Sequence, residues 1–172
     1  ALPFLLVMLV GVLDFGRAWV MKEKLAGAAR DGARMAVSEF NDTTTAAVNP
    51  QCSGGTPCSV QAAASAVIAA LSNASIDTCG MDPSTVTPTP GTFTWTYTGL
   101  CAANPFTITI ERAVANVVNG TSVLSTRVTV VYTYNWNFAN VFGFMVTLMK
   151  LGSNSFSNTI TISSAAMMTN LN

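Results

Sequence analysis

The sequence contains no histidine, and this absence removes several classes of enzyme at once. Without an imidazole, neither a Ser-His-Asp triad nor a Cys-His pair can activate a nucleophile. Asp77 and Asp82 are close in sequence but lack the ligand spacing of an EF-hand calcium loop. We therefore expect no catalytic residues, no bound metal and no cofactor, and the protein is not expected to be an enzyme.

Charged residues are also scarce: they make up 9% of the 172 residues, and the formal net charge is zero. Globular proteins ordinarily carry about 25% charged residues. No basic run exists beyond the Lys22–Lys24 cluster, so the electrostatic surface that nucleic acid requires is missing. Because so few charges would leave a monomer poorly soluble, the composition favours a surface covered by lipid or by copies of the same chain.

Cysteines are few and even in number: Cys52, Cys58, Cys79 and Cys101. They form no CxxC motif, which argues against zinc, whereas an even set is typical of disulfides in an exported protein. Of the three possible pairings we expect the local one, Cys52 with Cys58 and Cys79 with Cys101. Free buried thiols in a reducing compartment remain the alternative.

Residues 1–38 predict one helix that would reach about 57 Å. The uncharged stretch comprises only residues 1–13. It is too short for a lone transmembrane helix, which needs about 20 apolar residues. The stretch also lacks the basic start and the cleavage site of a signal peptide. Asp14 and Arg17 lie three residues apart, where they can pair within the helix or between subunits, or mark the membrane–water boundary.

The second part of this helix is rich in small residues that allow close packing of helices or sheets. Ala28 with Gly32 and Ala29 with Ala33 form such pairs. We expect copies of the helix to associate in a shared bundle. The predicted polymer interface comprises Leu2, Leu5, Leu6, Leu9, Val10, Leu13, Asp14, Arg17, Gly27 and Gly32.

Beyond a polar loop, a second helix is predicted at about residues 60–72, with Ser59 as its N-cap. Its apolar stripe consists of Val60, Ala64, Val67, Ile68 and Leu71. The insert at residues 138–151 also has helical spacing of apolar residues. It predicts either a short buried helix or an apolar finger that inserts into a neighbouring subunit.

Four segments then alternate with period two: Thr92–Thr98, Phe106–Ile110, Val128–Trp136 and Ile160–Ile162. They predict an antiparallel sheet of roughly four strands, with the first helix covering its apolar face. Asn119-Gly120 indicates a hairpin turn, but a two-residue loop would place Ile110 opposite Thr129 and mix the faces. A bulge or an odd-length loop is therefore required. Glu111 and Arg112 are interpreted as solubilising residues at a strand end.

These segments together resemble the TadE/TadG-like pseudopilin family of tight-adherence (Flp-type) pilus systems. At the N-terminal end the resemblance rests on an apolar run with Pro3, on Asp14-Phe15-Gly16-Arg17-Ala18, and on residues 28–34, AARDGAR. The tail adds Val128-Thr129-Val130, Tyr132 and Tyr134, Ile160-Thr161-Ile162 and Ala165-Ala166-Met167-Met168. One departure is that no acidic residue precedes Asp14, where related pilins have a glutamate; the chain either begins downstream of that position or is processed differently.

The resemblance implies an α+β, pilin-like fold in which residues 1–38 form the helix and residues 39–172 a β-rich head. It implies a structural pilin of an extracellular helical filament for surface attachment. Its partners would be copies of itself, the inner membrane before assembly, and the pilus assembly machinery. A minor pseudopilin of an export machine and a membrane-tethered adhesion module are the alternatives.

Overall fold

The computed structural model describes residues 2–38, 52, 56–85, 89–90, 93–99, 105–136 and 159–169. The elements in chain order are α1 (Leu2–Ser38), α2 (Cys58–Asn73), β1 (Thr89–Pro90), β2 (Thr94–Thr98), β3 (Phe106–Val118), β4 (Thr121–Asn135) and β5 (Thr159–Thr169). The strands form one antiparallel sheet in the order β1-β2-β3-β4-β5. The α+β prediction is confirmed: a long N-terminal helix packs on four full strands, with a shorter second helix and a two-residue edge strand.

One face of the sheet is apolar and lies under the helices, as the alternating pattern predicted. Its buried side chains come from four neighbouring strands and are Trp95, Tyr97, Phe106, Ile108, Ile110, Val128, Val130 and Ile162. The threonines of β2 and β3 lie on the opposite face, where Thr96 pairs across the strands with Thr109. Burial of one face and exposure of the other follow directly from the two-residue period.

The β3–β4 hairpin contains the predicted bulge. Asn119 and Gly120 form the turn with φ values of 52° and 79°, the left-handed geometry that a two-residue hairpin needs. Pairing near the turn places Val114 opposite Ser125, and a register shift between Glu111 and Val114 then brings Ile110 opposite Val128. The extra residue restores the apolar face, so the register prediction is confirmed.

The hairpin is longer than the sequence pattern indicated. β3 continues eight residues past Ile110 to Val118, and β4 begins at Thr121 rather than Val128. Apolar and polar residues do not alternate in this outer part of the hairpin. It extends beyond the part of the sheet that the helices cover, so neither of its faces needs to be apolar throughout. The interpretation of Arg112 as a solubilising strand end is wrong, since Arg112 is buried inside the bulge.

The C-terminal part of α1 covers the sheet, as predicted. Its buried residues are Leu25 and four alanines, Ala28, Ala29, Ala33 and Ala36. Gly32 packs most tightly: a Cβ added there would lie 2.5 Å from Cγ2 of Val67 and 3.4 Å from Cγ1 of Val128. Small residues therefore let α1 approach both α2 and the sheet.

Helix α2 begins earlier than predicted, and Ser59 is not its cap. Pro57 occupies the N-cap position without a side-chain hydrogen bond, and Ser59 lies inside the first turn. A disulfide between Cys52 and Cys58 is confirmed at the start of the helix. Cys79 is also in a disulfide, but Cys101 and the insert at residues 138–151 lie outside the described residues, so both predictions stay open.

Candidate functional site

Helix α1 runs antiparallel to β4 and extends past one end of the sheet. Gly32 lies over Val128 near the middle of the strand. The side chain of Asp14 meets Tyr134, near the strand's last residue, Asn135. The helical residues that precede Asp14 therefore project beyond the head by about 1.5 Å each.

The N-terminal half of α1, from Leu5 to Val20, exposes an apolar surface on one side. Eight large apolar side chains are 53–68% exposed: Leu5, Met8, Leu9, Val12, Leu13, Phe15, Trp19 and Val20. At about 100° per residue they lie on the side of the helix opposite Asp14, Ala18 and Leu25, which face the head. We call these eight residues the apolar face.

Two shallow grooves on the apolar face share Val12. The smaller, of about 290 Å³, is lined by Met8, Gly11, Val12 and Phe15. The larger, of about 530 Å³, is also lined by Gly16, Arg17 and Lys24. A Cβ added at Gly16 would meet nothing within 4 Å, so the missing side chain leaves open space on the helix surface.

Asp14 is the one carboxylate of this half of the helix, and the fold buries it to 2% exposure. The hydroxyl of Tyr134 donates a hydrogen bond to its Oδ1 at 3.1 Å. The pKa of Tyr134 is raised by burial first, and then by the hydrogen bond and the charge of Asp14, against an opposing effect of Arg17. Sequence reasoning missed Tyr134 because 120 residues separate the two partners.

The surface of α1 changes character after Val20. Lys22, Glu23, Arg30, Asp31 and Arg34 are all exposed. Lys22 places Nζ 5.9 Å from the centre of the Trp19 ring, and Lys24 donates a hydrogen bond at 2.8 Å to the carbonyl of Ala74 at the end of α2. Among the described helices, none has a stretch long and apolar enough to cross a membrane.

The residues predicted to form the polymer interface fall into two groups. Leu5, Leu9, Leu13 and Arg17 are exposed, and Val10 and Gly27 are partly exposed. Asp14 and Gly32 are buried within the subunit. The side chains of Leu2 and Leu6 lie outside the described residues, and the interface itself stays a prediction.

Two acidic residues outside α1, Asp77 and Asp82, stabilise turns. Asp77 accepts a hydrogen bond from the backbone N–H of Cys79, and Asp82 accepts two from Ser84. The Ser84 hydrogen bonds hold the pKa of Asp82 below its usual value. No cluster of three metal-ligating side chains occurs within the described ranges.

A long helix with a solvent-exposed apolar half, carried by an antiparallel head, defines the fold as pilin-like. Residues 1–34 match the family model of TadE-like proteins, which confirms the resemblance over that segment. The matched segment ends inside α1 and includes the whole apolar face. No curated protein and no solved structure gives a significant match to the chain. The family is pilus-related, and the match covers only this N-terminal segment of the chain.

Proposed function

We propose that this protein is a pilin, a structural subunit of an extracellular helical filament that assembles through α1 and serves surface attachment. The observation that carries the proposal is the apolar face, which α1 exposes where it leaves the head. A contiguous apolar surface of this kind marks a site of protein or lipid contact. Its partners in this proposal are copies of the same chain, with the inner membrane and the pilus assembly machinery acting before polymerisation.

The energetics favour burial of the whole face rather than of one or two residues. Full burial of a large apolar side chain contributes about 1.5–3 kcal/mol. Association itself costs about 4–15 kcal/mol in lost rigid-body freedom. Several of the eight side chains must therefore be buried together to hold a subunit, which a bundle of parallel helices achieves.

Leu9→Asp tests the proposal, because Leu9 is 60% exposed and its substitution leaves the core untouched. A carboxylate in a shared helix core would be desolvated without a partner, so we expect filaments to disappear from producing cells viewed by negative-stain electron microscopy. Thr98→Asp is the matched control, since Thr98 is exposed at the end of β2. Normal filaments from Leu9→Asp would contradict assembly through α1.

Labelling with an antibody against the head distinguishes a filament subunit from the main alternative, a minor pseudopilin. A filament subunit should be labelled along the whole filament length. Label confined to the filament base or tip would instead assign the chain to the minor pseudopilins.

A further inference from the structure

The few charges of the chain are separated between α1 and the part that follows it. Five of the eight basic residues lie in α1: Arg17, Lys22, Lys24, Arg30 and Arg34. Residues 35–111 contain no lysine or arginine, and every charge in that stretch is acidic. This separation gives the helix a positive surface and the segment after it a negative one.

Two of the helix arginines lie on the same side of α1 as the apolar face. At about 3.6 residues per turn, Arg30 comes about five full turns after Val12, and Arg34 comes about one turn after Arg30. Both arginines are exposed, and in the described part of the chain neither is within ion-pair distance of a carboxylate. We call Arg30 and Arg34 the basic pair. The side of α1 that meets other copies in the proposed filament therefore also carries a double positive charge.

The segment after α2 exposes two carboxylates, those of Asp77 and Asp82. We call residues 75–85 the acidic segment. Each carboxylate accepts a hydrogen bond from the backbone N–H two residues further on, and Ile76 and Met81 are buried beneath the segment. Because an ionised carboxylate has about four acceptor sites, both groups keep the capacity to accept hydrogen bonds from a cation.

The acidic segment lies at the end of the sheet from which α1 projects. Cβ of Cys79 is 3.0 Å from the place that a Cβ would take at Gly99, whose backbone N–H donates to the carbonyl of Phe106. Phe106 pairs with Tyr132, close to the last residue of β4. Burial first, and the charge of Asp77 second, raise the pKa of Tyr132, which agrees with this position.

The basic pair and the acidic segment lie at different heights along α1. Lys24 donates a hydrogen bond to the carbonyl of Ala74, directly before the acidic segment. The basic pair lies further towards the C-terminal end of α1, by about 9–15 Å at 1.5 Å per residue. A copy displaced by this distance along the helix axis brings its acidic segment level with the basic pair of its neighbour. Contacts between two different surfaces repeat from copy to copy and do not close unless the rotation forms a ring.

We propose that the acidic segment of one copy binds the basic pair on α1 of the next copy in the filament. Charge complementarity selects a second copy as the partner, because guanidinium groups form strong paired hydrogen bonds with carboxylates and this chain exposes both. The inference rests on the proposed function and adds a contact to it. The apolar face supplies the affinity, whereas the charged contact sets the register of neighbouring copies, since exposed ion pairs contribute more to specificity than to affinity.

Zero-length crosslinking on intact cells tests this contact. A carbodiimide joins a lysine amine to a carboxylate that touches it, but it does not couple arginine. Arg30→Lys combined with Arg34→Lys keeps both charges and supplies two amines. We expect about tenfold more crosslinked dimer than from the parent chain, because docking holds the two groups together. Adding Asp77→Asn and Asp82→Asn removes the carboxylates but keeps an oxygen for each turn, and should return the dimer to the parent level.

Charge reversal provides a second readout. Arg30→Glu places like charges together in the contact, so we expect at least about a tenfold loss of filament yield. Because Arg30 is exposed, the thermal unfolding midpoint should not change. Lys22→Glu is the matched control, since it makes the same change of charge at another exposed position of α1, and its filament yield should stay at the parent level. Equal losses from the two variants would assign the basic charge to an anionic lipid surface and overturn the contact between copies.

Two further results would overturn the contact: dimer from the lysine variant that survives the two aspartate substitutions or never exceeds the parent level, and normal filaments from Arg30→Glu. The two proposals also fail separately. If Leu9→Asp abolishes filaments while Arg30→Glu leaves them normal, assembly through α1 stands and the charged contact falls. If Leu9→Asp filaments are normal and the aspartate-dependent dimer forms, the charged contact stands and assembly through a bundle of helices falls.

Discussion

Two glycines of α1 occupy opposite environments, although they are only five residues apart. A Cβ at Gly32 would lie 2.5 Å from Val67 and 3.2 Å from the carbonyl oxygen of Ala63, whereas a Cβ at Gly27 would meet nothing within 4 Å. The same substitution should therefore have opposite effects at the two positions. Gly32 is needed for close packing of α1 against α2, and Gly27 is not needed by the fold of the subunit.

We predict that Gly32→Ala lowers the free energy of unfolding by about 1–3 kcal/mol, because the added methyl group overpacks the helix contact. Gly27→Ala should raise it by about 0.5–1 kcal/mol, since alanine is the better helix former. Urea unfolding of the two full-length variants, followed by circular dichroism in detergent micelles, measures both. Changes of the same sign would contradict the packing described for Gly32.

Two tyrosine hydroxyls also differ in their partners. The hydroxyl of Tyr97 is buried and has no hydrogen-bond partner in the described part of the chain. That of Tyr134 donates to Asp14. Burial raises the pKa of Tyr97 from 10.0 to about 12, so the folded state favours the neutral phenol more than the unfolded chain does.

We predict that Tyr97→Phe is neutral or stabilising by up to about 1 kcal/mol at neutral pH, because an unsatisfied buried hydroxyl is removed. Above pH 10 the unfolded chain loses this proton more readily than the folded one. The stability of the parent protein should therefore fall between pH 10 and about 12, and Tyr97→Phe should reduce that fall. Chemical denaturation across this pH range measures the difference.

Tyr134→Phe is the matched comparison, with an expected loss of about 1 kcal/mol at neutral pH because the buried Asp14 loses a donor. Equal effects of the two substitutions at neutral pH would show that the hydrogen bond to Asp14 contributes nothing.

At the scale of elements, the strands and the need for a bulge that corrects their register could be predicted from the sequence. The position of that bulge could not. Alternating threonines and aromatics predicted β2, and the mismatch between Ile110 and Thr129 required a bulge. No local pattern marks Arg112 and Ala113 as the bulge, because the side chain that Arg112 contacts there, Ser59, lies 53 residues away in the sequence. The Asp14–Tyr134 contact escaped prediction for the same reason.

The contact between Ser59 and Arg112 joins α2 to the bulge. Ser59 is 3% exposed and accepts the hydrogen bond that Nη1 of Arg112 donates. We predict that Ser59→Ala destabilises the fold by about 1–3 kcal/mol, because it removes an acceptor from a buried charged donor. Ser72→Ala, at an exposed position near the end of α2, should change stability by less than about 0.5 kcal/mol.

Thermal unfolding of the two serine variants provides the comparison. If Ser59→Ala behaves as Ser72→Ala does, the hydrogen bond from Arg112 to Ser59 contributes nothing measurable to holding the bulge.

At the scale of the whole molecule, one part of α1 is buried in the core of the head and the other part is exposed to solvent. The sequence division at residue 38 treats the helix as separate from the head. The core, however, unites Leu25, Ala28 and Ala29 of α1 with Val67 of α2 and Val130 of β4. The sequence predicted that α1 covers the sheet, but it left open how far α1 also packs against other copies, because an alanine-rich stretch suits a neighbouring helix and its own head equally well.

Two truncations distinguish a helix that belongs to the head from one that only tethers it. We predict that residues 14–172 fold and unfold cooperatively as a monomer, because they keep the buried part of α1 and lose the exposed side chains from Leu5 to Leu13. Residues 39–172 should show no cooperative transition, since removal of α1 uncovers the apolar face of the sheet. Circular dichroism on heating and size-exclusion chromatography provide the measurements. Cooperative unfolding of residues 39–172 at the same temperature would instead place the domain boundary at residue 38, with α1 contributing only to assembly.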